Sequence, residues 1–157
     1  MDDRSADTST PTSLGTLLIR PAVPGDREAI VVLGASDQDA AQLAPASVVA
    51  DCLDAGCSFV ALMEGTLIGY LLDQPIAYDG VRPLTLWVEA LVIHPDYRRR
   101  GVATALYHAL GAWAETRQVK GILARVTPDE AAAWALHRRA GFEPDRDDLV
   151  FWRISAG

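Results

Sequence analysis

The segment from Glu89 to Thr104, EALVIHPDYRRRGVAT, joins the end of an apolar strand to a basic turn and the start of a helix. The strand extends over Leu84–Ile93 and is apolar at almost every position, which predicts a strand covered on both faces. Glu89 is a lone carboxylate in it and calls for an explanation. From Val102 to Trp113, apolar residues recur at helical spacing. A buried strand that leads directly into an amphipathic helix is therefore the centre of the predicted fold.

Strand and helix signals alternate on both sides of this segment. Predicted strands are Thr16–Arg20, Ser58–Met63, Leu67–Leu72, Leu84–Ile93, Gly121–Val126 and Leu149–Ile154. Predicted helices cover residues 25–33 and 45–53, the segment from Val102, and a segment that runs from an N-cap at Thr127, with Pro128 and Glu130 completing a capping box, to Gly141. Strand, helix and strand in succession around Val102 imply a parallel pair with a right-handed crossover. The fold class is α+β with a mixed sheet.

The chain has 157 residues, half of them apolar, which suits one domain with a sizeable core. Residues 1–15 are rich in Asp, Ser, Thr and Pro and predict a disordered tail without features of a secretory signal, so residues 16–157 form the predicted domain. The apolar runs fall far short of the roughly 20 residues of a membrane span. Cys52 and Cys57 are not spaced as CxxC, which favours buried thiols and a cytoplasmic location.

The net charge of -7 opposes nucleic-acid binding, which needs several basic contacts on one surface. It suits a cationic substrate, although an acidic surface also serves solubility. His94, His108 and His137 lie far apart and lack companion ligands at metal-binding spacing. We therefore expect no metal site and neither a nucleic-acid nor a membrane partner.

The basic turn has the properties of an anion site. Backbone N–H groups at a helix start lack intrahelical partners, and the helix dipole favours negative charge there. Gly101 removes a side chain that would block a phosphate, and Arg98–Arg100 add charged donors. A solvated basic run is the alternative, but the position of the arginines between a strand and a helix favours phosphate binding. The turn is neither a Walker loop nor GxGxxG.

With these residues the chain resembles the GNAT N-acetyltransferase superfamily. Arg98, Gly101 and Ala103 match the central turn of that family, which reads arginine or glutamine, two residues, glycine, one residue, and glycine or alanine. Further similar segments are Ile19–Ala22, Ile68–Tyr70, Glu89–Tyr97 and Leu136–Phe142. In the order of the family they cover residues 16 to 154.

The resemblance implies a mostly antiparallel sheet of about six to seven strands with four helices, in which a parallel pair splays around acetyl-CoA. The backbone of Leu91, Val92 and Ile93 would pair with the pantetheine arm like an added strand. The phosphates would bind at Arg98, Arg99, Arg100, Gly101, Val102, Ala103 and Thr104. Acetyl-CoA is then a co-substrate, no metal takes part, and the acceptor is a small-molecule or peptide amine. The alternative function is an acyl-CoA sensor without turnover, and a homodimer stays open because members of this family are often dimers.

Two residues are candidates for the proton transfers. Glu89 lies where the family commonly places a base that acts directly or through water, and its alternatives are a ligand of the substrate ammonium or a solvent-facing carboxylate. His137 occupies the position at which many relatives carry a tyrosine that protonates the leaving thiolate. Its alternative is a purely structural histidine. Glu130, where relatives often have asparagine, is assigned to the helix cap.

Aromatic and acidic residues near the central strand are candidates for the acceptor pocket. Trp87 and Tyr78 would line it, although aromatic residues of this kind are more often core. Asp37, Asp39 and Asp79 fall in loops that approach the acceptor in relatives, where they would steer a cation.

Overall fold

The computed structural model describes residues 8–12, 15–36, 44–76, 85–127, 129–146 and 148–154. Its strands are β1 (Thr8–Thr12), β2 (Gly15–Pro21), β3 (Phe59–Met63), β4 (Thr66–Ile76), β5 (Thr85–Ile93), β6 (Gly121–Arg125), β7 (Glu143–Pro144) and β8 (Leu149–Arg153). Its helices are α1 (Arg27–Ser36), α2 (Ala46–Ala55), α3 (Val102–Glu115) and α4 (Ala131–Ala140), with short 3-10 helices at Pro24–Asp26 and Pro95–Tyr97. Each predicted strand and helix has a counterpart among them.

The strands form one mixed sheet in the order β1-β2-β3-β4-β5-β6-β8-β7. β5 and β6 are parallel and are connected through α3, whereas the other neighbouring strands run antiparallel. The predicted α+β class, the parallel pair across the central helix and the four helices are thereby confirmed. The described strands number eight, more than the six to seven expected, because β1 and the two-residue β7 were not predicted.

Two hydrophobic cores lie on opposite faces of the sheet. Successive residues of β3 alternate between them, with Phe59 in one and Val60 in the other. The α3–α4 core contains residues of α3 and α4, such as Leu106 and Ala140. The α1–α2 core contains residues of α1 and α2, such as Ile30 and Val49. The central strands are therefore covered on both sides, as the apolar character of β5 predicts.

β1 corrects the prediction of a disordered tail over residues 1–15. Thr8–Thr12 pair antiparallel with β2, from Thr8 opposite Ile19 to Thr12 opposite Gly15. Threonine is β-branched and favours extended backbone, and the outer edge of β2 offers unpaired N–H and C=O groups to a further strand. Residues 1–7 lie outside the described part of the chain.

The start of α4 also differs from the prediction. The helix begins at Ala131, with Glu130 as its N-cap and without a side-chain cap. The Thr127 hydroxyl donates to Asp129 Oδ1 at 2.7 Å, so it does not cap the helix as predicted. The Glu130 half of the capping box is present, because its Oε2 accepts from the Thr127 N–H at 3.2 Å. Pro128 lies outside the described residues.

Candidate active site

Strands β5 and β6 separate soon after they begin. They pair at three positions, of which Trp87 opposite Leu123 is the last. β5 continues to Ile93 and stays paired with β4, but no further pair joins it to β6 within the described residues. Beyond Trp87 the backbone of β5 thus has no strand partner on the β6 side in the described part of the chain, although the Ile93 carbonyl accepts from Arg98 Nε. The predicted splay is confirmed, and Leu91–Ile93 lie along its edge.

Glu89 is the extra residue of a β-bulge in β5. Leu72 of β4 pairs with Ala90 and Asp73 pairs with Val88, so Glu89 has no residue opposite it. A bulge bends its strand and increases the local twist, and bulges are frequent next to active sites. The bulge lies two residues beyond the last contact between β5 and β6.

The bulge reverses which residues of β5 point to which face of the sheet. Leu86 and Ile93 both pack in the α3–α4 core, although regular alternation would direct residues seven apart to opposite faces. Ala90 and Val92, which follow the bulge, pack in the α1–α2 core. The change of face explains why an apolar run without clear alternation forms this strand.

The turn between β5 and α3 leaves the N-terminus of α3 open. Gly101 is the N-cap of α3 with φ 82°, and Arg99 also has a positive φ of 60°. A Cβ built at Gly101 would meet no heavy atom within 4 Å, so the space beside this backbone is free. The helical hydrogen bonds begin with the Ala105 N–H, which donates to the Gly101 carbonyl at 2.9 Å. The N–H groups of Val102, Ala103 and Thr104 therefore belong to the first helical turn, which lacks intrahelical acceptors.

Side-chain contacts hold this turn against the end of β5. Arg98 Nε donates to the Ile93 carbonyl at 3.1 Å, while Arg99 and Arg100 are exposed. A Cβ built at Gly69 of β4 would lie 2.8 Å from Ile93 Cδ1 and 3.5 Å from Val102 Cγ1. Glycine at this position therefore lets β4, β5 and the start of α3 approach closely.

The Glu89 carboxylate is half-buried and is held by β4. Gln74 Nε2 donates to Glu89 Oε2 at 3.0 Å. The Cys52 thiol of α2 lies near Gln74 and Glu89. Burial raises the pKa of the Cys52 thiol to about 12, with the negative charge of Glu89 as the next contribution and the side chain of Gln74 acting in the opposite direction. A neutral thiol, an amide and a carboxylate therefore meet on the α1–α2 side of the sheet.

His137 is buried inside the α3–α4 core rather than open to a ligand. Its Nδ1 lies 2.7 Å from the Ala133 carbonyl, which can only accept, so Nδ1 carries the proton. Its Nε2 then accepts from the Tyr107 hydroxyl at 2.7 Å. Burial lowers the pKa of His137, although the Ala133 carbonyl and the charge of Glu130 act against that. The imidazole is neutral, and both nitrogens are engaged within the protein.

Tyr107 and Phe142 enclose this histidine. The ring centroids of Tyr107 and Phe142 lie 5.2 and 5.0 Å from that of His137, all in edge-to-face arrangements. Burial raises the pKa of Tyr107, so the phenol keeps its proton. This geometry supports the structural alternative for His137 and does not bring it together with Glu89.

Asp73 of β4 is a buried polar residue to which the sequence pattern gives no role. Its side chain is fully buried, and within the described residues neither carboxylate oxygen has a hydrogen-bond partner. Burial raises its pKa well above the usual value, and the neighbouring Cys57 thiol offsets this in part. The signal available in the sequence was an aspartate directly after the apolar run Leu67–Leu72.

The remaining candidates divide between described and undescribed residues. Trp87 is half-buried on β5, and the Arg125 guanidinium lies 6.0 Å from its ring centroid. Tyr78, Asp37, Asp39 and Asp79 lie outside the described residues. In the ranges that the structure covers, no group of three or more His, Cys, Asp or Glu side chains could hold a metal ion. No helix in those ranges is long and apolar enough to span a membrane.

A splayed parallel pair with an anion-binding helix start between its strands is the arrangement of an acetyltransferase of the GNAT type. The profile of the Acetyltransferase (GNAT) family matches residues 33–142. The chain therefore belongs to this family, and it is an N-acetyltransferase.

Relatives and solved structures agree with this assignment. Aminoglycoside N(6')-acetyltransferase type 1 of Salmonella typhimurium is 27% identical over 100 residues, which are 61% of this chain and 68% of that protein. The GNAT domain of S. lividans PAT superposes with a TM-score of 0.81 at 20% identity, over 98% of this chain and 99% of that domain. Arabidopsis thaliana NAA60 in complex with acetyl-CoA superposes with a TM-score of 0.75 at 17% identity, over 88% and 99% of the two chains.

Proposed function

We propose that this chain transfers the acetyl group of acetyl-CoA to a primary amine by direct attack of the amine on the thioester. The observation that carries the proposal is the open edge of β5 beyond Trp87, which leads into a helix start with free space at Gly101. Residues 16–157 act as one acetyltransferase domain in this proposal. Cys52 and Cys57 are both free thiols, which suits a cytoplasmic location.

The described residues fit acetyl-CoA. Its phosphates would bind at the turn, where the amides of Val102–Thr104, the dipole of α3 and the exposed Arg99 and Arg100 favour anions. The amide groups of its pantetheine arm would pair with the free edge at Leu91–Ile93, in the manner of an added strand. The separation of β5 and β6 supplies the room for that arm.

Acetyl-CoA supplies the activated acyl group, and the amide C–N bond forms as the C–S bond breaks. An amine arrives as an ammonium ion, which must lose a proton before it can attack. Glu89 would accept that proton, directly or through water, or would hold the ammonium while water accepts it. A backbone N–H of Leu91–Ile93 would stabilise the oxyanion that develops on the carbonyl oxygen.

His137 does not supply the proton of the leaving thiol in this proposal. Its Nε2 already accepts from Tyr107, and its Nδ1 proton is donated to the Ala133 carbonyl. A CoA thiolate is a good leaving group of thiol-like basicity, so it can depart without an acid and then take its proton from water. The role assigned to His137 is to hold Tyr107 and α4 in place.

The acceptor class is proposed from charge and similarity. A net charge of -7 attracts cations, and the relative from Salmonella typhimurium is named for an aminoglycoside acceptor. We therefore place cationic small-molecule amines first among acceptors and peptide amines second.

The test is a thiol-release screen with purified protein, acetyl-CoA and a panel of aminoglycosides, polyamines, amino acids and peptides. We expect CoA thiol to form with at least one amine, together with the N-acetylated product by mass spectrometry. The Gly101→Glu variant is the control, since it keeps the Glu89 site but loses the phosphate site. Tight acetyl-CoA binding without thiol release across the panel would refute the proposal in favour of a sensor.

A further inference from the structure

The position of the Glu89 carboxylate on β5 depends on a hydrogen bond from β4. Glu89 is the unpaired residue of the bulge, so no residue of β4 stands opposite it to restrict its side chain. Gln74 pairs with Trp87 on the neighbouring strand and reaches Glu89 from there, with Nε2 3.0 Å from Oε2. The contact bridges the bulge at the point where β5 leaves β6.

The direction of this hydrogen bond is determined by chemistry. An ionised carboxylate only accepts hydrogen bonds, so the amide nitrogen of Gln74 must face Oε2 and its oxygen must point elsewhere. A donor on one oxygen leaves Oε1 of Glu89 for a proton or an ammonium ion. A hydrogen bond to a charged group is also stronger than one between neutral groups.

The nearby Cys52 side chain is not a second anion that could attract the Gln74 amide. Burial raises the pKa of Cys52 to about 12, so its sulfur is a neutral thiol and a weak hydrogen-bonding group. Gln74 is half-buried, and its amide nitrogen lies 3.0 Å from Glu89 Oε2. The strong interaction of the amide is therefore the one with Glu89.

We propose that Gln74 is a positioning residue of the acetyl transfer: its amide holds Oε2 of Glu89 so that Oε1 meets the acceptor amine. The inference rests on the proposed function, because it gives Glu89 a role toward the acceptor. In this proposal Gln74 affects the reaction only through Glu89. A residue that merely stabilised β4 would affect the enzyme with or without the Glu89 carboxylate.

The test is a double-mutant cycle of Gln74→Met and Glu89→Gln, measured as kcat and KM for the best amine of the panel. Methionine keeps the length of the side chain and loses the amide. Gln74→Met should lower kcat/KM by about 10- to 100-fold, as expected for the loss of one charged hydrogen bond. It should divide the loss between kcat and KM as Glu89→Gln does, and it should change the Glu89→Gln enzyme by less than about twofold.

Ile76→Met is the matched control, because it introduces the same side chain two residues along the same face of β4. It should leave kcat/KM within about twofold, and no variant should change the affinity for acetyl-CoA by more than that. An effect of Gln74→Met below twofold, or an equal effect with and without the Glu89 carboxylate, would overturn the proposal while leaving the proposed function intact. A wild-type enzyme that acetylates no amine would overturn both.

Discussion

The buried carboxyl of Asp73 predicts a stability that falls as the pH rises. In the unfolded chain this group ionises around its ordinary pKa of 3.8, whereas burial without a partner for either oxygen raises its pKa well above that value in the folded protein. Above pH 3.8 the folded state therefore holds one proton more than the unfolded state. Because stability falls with pH wherever the folded state binds more protons, Asp73 opposes folding at neutral pH.

The magnitude follows from the difference of one proton. Each pH unit over which the folded state holds one proton more than the unfolded state costs about 1.4 kcal/mol, so retention of the Asp73 proton from pH 5 to pH 7 removes about 2.7 kcal/mol. Asp73→Asn has nearly the same shape and a polar group that is likewise unpartnered, but it does not titrate. The free energy of unfolding of Asp73→Asn minus that of the wild type should therefore increase by about 2.7 kcal/mol from pH 5 to pH 7.

Urea unfolding of both proteins at half-unit intervals from pH 4.5 to pH 7.5 measures this difference. Asp54→Asn, at an exposed position of α2, is the matched control for the removal of one carboxyl. A difference curve for Asp73→Asn that is flat over the whole range would refute the reasoning. It would mean that the folded protein stabilises the Asp73 anion.

Three further predictions concern the site. Gly101→Glu should abolish acetyl-CoA binding, measured by calorimetry, since it places a carboxylate at the proposed phosphate position. Gly101→Ala imposes the same backbone strain without a charge, and this variant should still bind acetyl-CoA. Glu89→Gln should lower turnover by about 100-fold or more with acetyl-CoA affinity intact, and turnover within about twofold of wild type would remove Glu89 from the mechanism. His137→Phe should reduce the free energy of unfolding by about 1–3 kcal/mol, because the buried Tyr107 hydroxyl loses its acceptor, with little change in kcat. A loss of kcat by tenfold or more at unchanged stability would instead restore His137 as an acid.

Much of the fold could be predicted because its elements carry strong local signals. The apolar residues of α3 recur at helical spacing, and the loop of the β3–β4 hairpin contains a glycine. Gly56 and Gly141 end α2 and α4 with left-handed backbone, as expected. The turn that we propose binds the phosphates also has a local signal, because a helix start, a glycine and three arginines coincide in seven residues. These features depend on neighbours in the sequence.

The features that could not be predicted depend on partners distant in the chain. The place of His137 in a motif makes it a candidate acid or a structural residue, but the motif does not reveal the contact of its ring with Tyr107, thirty positions earlier on another helix. The hydroxyl of Thr127 is a local exception, because it has the right type and spacing for a cap but donates to Asp129 instead. Gln74 carried no signal, because an amide at the end of an apolar strand resembles any surface residue until the sheet register is known.

Glu89 shows how one backbone irregularity joins the fold to the chemistry. An apolar strand with a single carboxylate looks inconsistent if its residues alternate regularly, because the carboxylate would then occupy a buried position. The bulge resolves the inconsistency, since Glu89 is the residue that leaves the pairing with β4. Bulges bend strands, and here β5 loses its contact with β6 two residues before Glu89. The same extra residue therefore accounts for the position of the carboxylate and, through the bend, for the opening in which the co-substrate is proposed to lie.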